Sequence, residues 1–132
     1  MIERVKPKKA LGQHFLTDMS VAARIADTID DYAGRYPVVE IGPGTGVLTQ
    51  FLLQKAPDLT VVEIDRESVE YLGEHFPELH APGRRIISQD FLREDLDRLM
   101  GGRDFVVIGN YPYNISSQIF FKILDYKDRV PC

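Results

Sequence analysis

Cysteine is almost missing from this chain: Cys132 stands alone among 132 residues, which excludes an internal disulfide. Long apolar runs are missing as well. No stretch approaches the roughly twenty apolar residues of a membrane helix, and no signal-peptide core is visible, so the cytoplasm is the expected compartment and no membrane partner is expected. Excess positive charge is lacking too. Lys and Arg number 16 against 20 Asp and Glu, and a formal net charge of −4 argues against a free-standing nucleic-acid binder, because neutralising phosphates takes clustered cations. The exception is the start, where Arg4, Lys6, Lys8 and Lys9 form a basic arm suited to a phosphate backbone or to a solvated tail. Internal repeats and low-complexity tracts are not found. His75 and His80 have no Cys or carboxylate at metal-ligand spacing, so they read as surface residues and no metal is expected. The length suits one core and is too short for two ordinary domains.

What is present is an abrupt break at Val38-Val39-Glu40-Ile41-Gly42-Pro43-Gly44-Thr45-Gly46. The β-branched run from Val38 to Ile41 predicts a buried strand, and the apolar spacing from Val47 to Leu53 predicts a helix packed on a sheet. Between them, Gly42, Gly44 and Gly46 allow backbone angles closed to other residues and leave room for a ligand against the main chain. Strand, glycine turn and helix in that order predict a nucleotide-type cofactor site, with a plain tight turn as the simpler reading. The dinucleotide pattern fits poorly, since it needs Gly or Ala where Val47 stands. Glu40, just before the loop, would repel a pyrophosphate but attract an ammonium group directly or through water. S-adenosyl-L-methionine carries an ammonium and no phosphate. Glu63 closes the next apolar run about twenty residues on, where a carboxylate can accept both ribose hydroxyl protons; Asp65 is the neighbouring alternative.

Along the chain, Ala10 to Asp18 shows no period and is expected to lie across the body, with Gln13 and His14 either touching a ligand or serving structure. Asp18 is expected to cap a helix from Met19 to Tyr32, with Val21, Ile25, Ile29 and Tyr32 as its buried stripe. Strands are predicted at Val38 to Ile41, Leu59 to Ile64, Arg85 to Ser88 and Phe105 to Gly109. Helices are predicted at Val47 to Gln54, Glu67 to His75, Glu94 to Met100 and Ser116 to Leu124. This βαβαβαβα order predicts an α/β fold, a parallel sheet with helices on both faces. Ligands in such sheets gather at the carboxyl ends of the strands, where Gly42, Glu63, Asp90 and Asn110 fall. Asp90 is there either to accept the adenine amino protons or to cap a helix ahead of Leu92 to Leu99. In the first case the Phe91 amide faces a ring nitrogen and its side chain covers the ring.

Asn110-Tyr111-Pro112-Tyr113 suits methylation of a planar nitrogen. An exocyclic amine is a poor nucleophile because its lone pair is delocalised into the ring. If the Asn110 amide oxygen and the Tyr111 carbonyl accept its two protons, the nitrogen can pyramidalise toward a methyl donor, and the same dipoles stabilise the charge that develops there. Pro112 fixes its own φ and restricts Tyr111, while Tyr113 offers a flat face for a base. A sulfonium is already activated, so alignment suffices without a metal or a covalent nucleophile. The target base must be unstacked, flipped or in a loop. A turn with core-packed aromatics is the simpler reading of the same residues.

These stretches together resemble the N-terminal half of the S-adenosylmethionine-dependent ribosomal RNA adenine N6,N6-dimethyltransferases, the KsgA type of the small subunit. The resemblance runs through Lys8 to Leu16, Glu40 to Gly46, Val62 to Asp65, Gln89-Asp90 and Asn110 to Tyr113, and their combined order and spacing make it specific. It implies a Rossmann-like class I methyltransferase fold in which Gln13, His14 and Leu16 border the cofactor and Glu40 and Gly42 lie near its methionine part. It further implies that Glu63 holds the ribose, Asp90 the adenine amino group, and Asn110 with Tyr113 the target adenine; Gly44, Ile64 and Phe91 are counted among the cofactor's neighbours. Tyr111 stands where the family usually has leucine, at a position acting through its carbonyl. The implied partner is small-subunit ribosomal RNA in the immature 30S subunit, with a monomeric full-length parent.

Residues 1–17 read as the basic arm and cofactor-bordering segment, and 18–132 as a methyltransferase domain cut short after its fourth strand-helix unit, without the family's C-terminal helical domain. The chain is therefore expected to be a piece that keeps some cofactor affinity with little or no transferase activity, and Phe105 to Gly109 is expected at an unpaired sheet edge. The alternatives are the antibiotic-resistance dimethyltransferases of large-subunit RNA, methylation of another planar nitrogen in DNA adenine or protein glutamine, and a non-catalytic module that binds immature ribosomal subunits.

Overall fold

A computed structural model describes residues 19–109 together with 118, 119, 122 and 123. The Asp18 cap, the segment holding Gln13, His14 and Leu16, and the run Asn110 to Tyr113 lie outside the described residues. Four strands form one sheet: β1 (Val38–Ile41), β2 (Leu59–Glu63), β3 (Arg85–Ser88) and β4 (Val106–Gly109), in the order β3-β2-β1-β4. Every pairing is parallel, with Val38 opposite both Leu59 and Val106, and Ile41 opposite both Val62 and Gly109. The central strands β1 and β2 are buried at every position, which is why they read as continuous apolar runs. β3 has only β2 beside it among the described residues and exposes Arg85 and Ser88. β4 has β1 on one side and no other neighbour among the described residues.

Helical segments connect the strands: α1 (Met19–Asp27), α2 (Thr49–Leu52), α3 (Arg66–His75) and α4 (Leu96–Met100), with short 3-10 turns at Pro77–His80 and Phe91–Arg93. Because side chains alternate along a strand, each strand feeds two cores. Val38, Leu59, Val61, Val106 and Ile108 meet Ala26, Ile29, Leu48, Leu52 and Leu72 on one face. Val39, Ile41 and Val62 meet Phe91, Leu96, Leu99, Phe105 and Ile119 on the other. The sheet is thus covered on both sides, in agreement with the expectation.

The strands and α3 match the predicted spans to within a residue, whereas the other helices are shorter. α1 stops at Asp27 rather than Tyr32. Beyond it the Thr28 hydroxyl donates to the Ile25 carbonyl at 2.6 Å, and successive amides bond three residues back, so the chain tightens out of the α-helix. Asp27, Asp30 and Asp31 also crowd the negative end of the helix dipole. Lys55 offsets part of that charge by binding Asp27 at 2.6 Å and Asp30 at 2.7 Å. Ile29 stays buried even so, because the turn still lies on the core.

β4 approaches β1 unusually closely at its carboxyl end. A Cβ built on Gly109 would stand 2.5 Å from the Ile41 carbonyl oxygen and 3.1 Å from its amide nitrogen, so the strand ends could not keep their present separation. Gly73 in α3 differs: a Cβ there meets nothing nearer than His80 Nε2 at 3.7 Å. One chemical change should therefore have opposite signs at the two positions. Urea unfolding is expected to show Gly109→Ala destabilised by about 2 kcal/mol and Gly73→Ala stabilised by about 0.5–1 kcal/mol. A neutral Gly109→Ala would contradict the close approach.

Candidate cofactor site at the carboxyl edge

The chain leaves β1 outward through β2 and β3, then returns to place β4 on the other side of β1. The order reverses between β1 and β4, and in doubly wound sheets that reversal opens a crevice at the carboxyl ends of the strands. The glycine loop follows β1 at this edge, and Gly109, the residue preceding Asn110 in sequence, ends β4 beside it.

Gly42, Gly44 and Gly46 all have positive φ, at 63°, 59° and 87°, so each occupies backbone space that side chains disfavour. Their surroundings separate them. At Gly46 a Cβ would strike the Phe76 ring at 2.8 Å and Leu72 at 3.1 Å. Gly46 thus lets the end of α3 close on the loop, a packing role and not the ligand clearance expected for it. Gly42 remains tied to the sheet through its amide, which donates to the Val62 carbonyl at 2.9 Å.

Glu63 is only 4% exposed, and its two carboxylate oxygens are divided between two backbone amides. Oε1 accepts from Gly44 N–H and Oε2 from Asp65 N–H, both at 2.9 Å. One side chain therefore fixes the glycine loop and the exit of β2 together. Asp65, the alternative ribose partner, is occupied differently. Its Oδ2 accepts from the Ser68 amide at 3.1 Å and the Ser68 hydroxyl at 2.8 Å, capping α3. Ile64 between them is 57% exposed, leaving an apolar side chain at the rim.

Glu40 lies beneath the loop, 1% exposed, and its Oε1 accepts from the Thr49 hydroxyl at 2.6 Å. Burial pushes its carboxyl up from 4.5 to about 8; the Thr49 bond opposes this, and the nearby Glu63 charge adds to it. At neutral pH Glu40 is therefore mainly protonated. This neutral carboxyl ties β1 to α2, at the position where the sequence predicts a partner for an ammonium group. Thr49 was not legible as its partner, since a threonine nine residues on in a helix marks no motif.

Asp90 follows β3 and caps the 3-10 turn, its Oδ1 accepting from the Leu92 amide at 3.0 Å. The capping alternative is thus realised by one of its oxygens. The Phe91 ring is not the adenine cover expected of it. It is 4% exposed within the core of Leu96 and Phe105, and the Lys122 ammonium stands 4.8 Å above it. Lys122 also donates to the Phe91 carbonyl, and to that of Glu94 at 2.5 Å. Desolvation lowers the Lys122 pKa, opposed by the Glu94, Asp90 and Asp95 carboxylates. The signal for it was a lone cation within the apolar run Ile119-Phe120-Phe121-Lys122-Ile123-Leu124. His75 and His80 are exposed, lying 3.0 Å from the Tyr71 carbonyl oxygen and 3.2 Å from that of Gly73.

The sequence matches a known family along almost the whole chain. A sequence profile described as Ribosomal RNA adenine dimethylase covers residues 4–131. The chain belongs to that family. Among curated members of the ribosomal RNA adenine dimethylase family, Ribosomal RNA small subunit methyltransferase A of Parabacteroides distasonis is 66% identical over 97% of this chain. Its namesake in Porphyromonas gingivalis is 62% identical over 98% of the chain. The chain spans 46% and 49% of those two proteins, about half the length of the curated relatives it matches. Of solved structures, the 23S rRNA methyltransferase ErmE superposes with a TM-score of 0.73 at 32% identity, covering 88% of this chain and 44% of that one. A dimethyladenosine transferase from Plasmodium falciparum gives 0.62 at 24% identity over 78% of this chain and 36% of its own, a likeness of fold. The fold is that of the Rossmann-like class I methyltransferases.

The proton on Glu40 carries a signed consequence. Between about pH 4.5 and 8 the folded chain holds it while the unfolded chain releases it, so stability falls as pH rises through that window. Glu40→Gln keeps an oxygen for Thr49 and has no proton to lose. Urea unfolding at pH 5 and pH 8 should show the variant gaining on the parent chain as pH rises. Parallel pH dependence would contradict a protonated Glu40.

Proposed function

We propose that this chain supplies the S-adenosylmethionine-binding half of an enzyme that dimethylates adenine N6 in small-subunit ribosomal RNA. The observation that carries the reading is the buried Glu63 carboxylate at the carboxyl edge, joined to the Gly44 amide beside the β1–β4 crevice. A carboxylate has about four acceptor positions, and each Glu63 oxygen that receives a backbone amide retains capacity for a ribose hydroxyl. Asp65 caps α3 through Oδ2 while Glu63 binds the glycine loop itself, which favours Glu63 for that role. The edge also suits a cation. Glu63 and Glu40 lie close enough for the Glu63 charge to act on Glu40, an environment that disfavours a phosphate and favours a sulfonium.

The bound cofactor would supply an activated methyl. The chain's own residues bind and orient. Gly42 and Glu40 lie near the methionine part with Gly44 in the same loop, Glu63 holds the ribose with Ile64 beside it, and Asp90 with the Phe91 amide meets the adenine. Gln13, His14 and Leu16 close over this side by family resemblance. Asn110 and the Tyr111 carbonyl draw the target amine's protons, Pro112 holds that carbonyl, and Tyr113 stacks on the base. The high identity to small-subunit enzymes favours immature 30S RNA in the cytoplasm as the setting, and transfer itself is assigned to the whole protein. Large-subunit RNA is the second reading, favoured by the ErmE superposition, at about half that identity.

Calorimetric titration of the chain with S-adenosylmethionine should show binding, weakened roughly tenfold or more in Glu63→Gln because a charged acceptor is lost. Asp65→Ala should leave that affinity unchanged while lowering stability by about 1 kcal/mol. No binding by the parent chain, or equal affinity in Glu63→Gln, would reject the site.

A further inference from the structure

The amino ends of the strands hold a second concave site, on the side of the sheet away from the glycine loop. A cavity of about 310 Å³ is lined by Pro37, Asp58, Thr60, Arg84, Arg85 and Arg103, among others. Pro37, Asp58 and Arg103 precede β1, β2 and β4, and Arg85 opens β3, so the whole sheet contributes to it. Strands of four or five residues put it roughly 15 Å from the carboxyl edge.

Three arginines and one aspartate line this cavity, although the chain as a whole is acidic. Asp58 meets Arg103 at 3.5 Å, and both are substantially exposed. Neither Arg84 nor Arg85 is paired with a carboxylate among the described residues; neutral oxygens hold them instead. Arg84 donates to the Leu53 carbonyl at 2.7 Å and to that of Ala56 at 3.2 Å. Arg85 donates from Nε to the Thr60 hydroxyl at 3.2 Å and from Nη2 to the Leu99 carbonyl. These bonds hold both side chains through Nε and Nη2 without neutralising their charge, and a pre-oriented guanidinium loses less freedom on meeting an oxyanion. Gly83 keeps the rim open: it has φ +87°, and a Cβ there would stand 2.9 Å from Asp58 Oδ1.

We propose that this amino-edge cavity is a phosphate-binding site, and that the phosphate it takes belongs to an RNA backbone. Phosphate chemistry follows from the arginine cluster; the choice of RNA as its bearer rests on the family reading. The site lies outside the methyl-transfer crevice, so RNA held here is gripped by its backbone at a distance from the modified base. Such a contact positions the RNA and does not read its sequence.

Binding of inorganic pyrophosphate and of a short labelled RNA by the full chain, each over a salt series, tests this. Arg103→Gln is the primary variant because its side chain is exposed; Arg85→Gln is the second, and Arg24→Gln, on the exposed side of α1, is the control. Loss of one charged contact should weaken both ligands roughly tenfold and flatten the salt slope for single-stranded RNA by about 0.7. S-adenosylmethionine affinity and melting temperature should stay unchanged in Arg103→Gln, which separates failure here from failure of the cofactor site. Unchanged binding of both ligands in both cavity variants would overturn the proposal, and an equal loss in Arg24→Gln would replace it with diffuse attraction. A loss for pyrophosphate without one for RNA would overturn RNA as the bearer.

Discussion

The Glu63 carboxylate sets the geometry on which the carboxyl edge depends. It is buried where two strands end, and a buried carboxylate must be met by donors. It finds them in Gly44 and Asp65. The first bond draws the glycine loop back over β2. The second orients the turn in which Asp65 caps α3, and α3 in turn lays Phe76 and Leu72 against the space a side chain would need at Gly46. A single acid thus links loop shape, helix start and packing. Its oxygens sit where a ribose is expected, so the group that organises the loop is also the one proposed to hold a cofactor.

Charge is separated across the sheet. The carboxyl edge carries two buried acids, one kept mostly neutral by burial and by the other's charge. The amino edge carries Arg84, Arg85 and Arg103 around a cavity with one opposing carboxylate. A cationic methyl donor and a polyanionic RNA are chemically opposite ligands. A parallel sheet has two distinct ends, so one small domain can address both without bringing their charges together.

The sequence carried most of the fold in plain form. β1 and β2 announce themselves because central parallel strands bury both faces and tolerate only apolar residues; Glu63 and the glycines stand out against that background. Helix ends were harder to read. Thr28 and its acidic neighbours shorten α1 while Ile29 still packs, so apolar spacing outlasts the helix itself. Long-range partners were hidden altogether. Nothing local pairs Glu40 with Thr49, makes Gly109 the point where β4 touches β1, or turns the Phe91 ring into the core beneath Lys122. Asp90 was open between cap and ligand because a carboxylate after a strand serves either use, and one of its oxygens proves to be the cap.

The central claim is that cofactor binds where Glu63 joins the glycine loop. Amide resonances of the isotope-labelled chain, followed while S-adenosylmethionine is added, test it most directly. Shifts are expected to concentrate at Gly42, Gly44, Ile64, Asp65 and Phe91, with Thr60, Arg85 and Arg103 at the opposite edge unmoved. Shifts centred on those amino-edge residues, or none at the glycine loop at saturating cofactor, would contradict it.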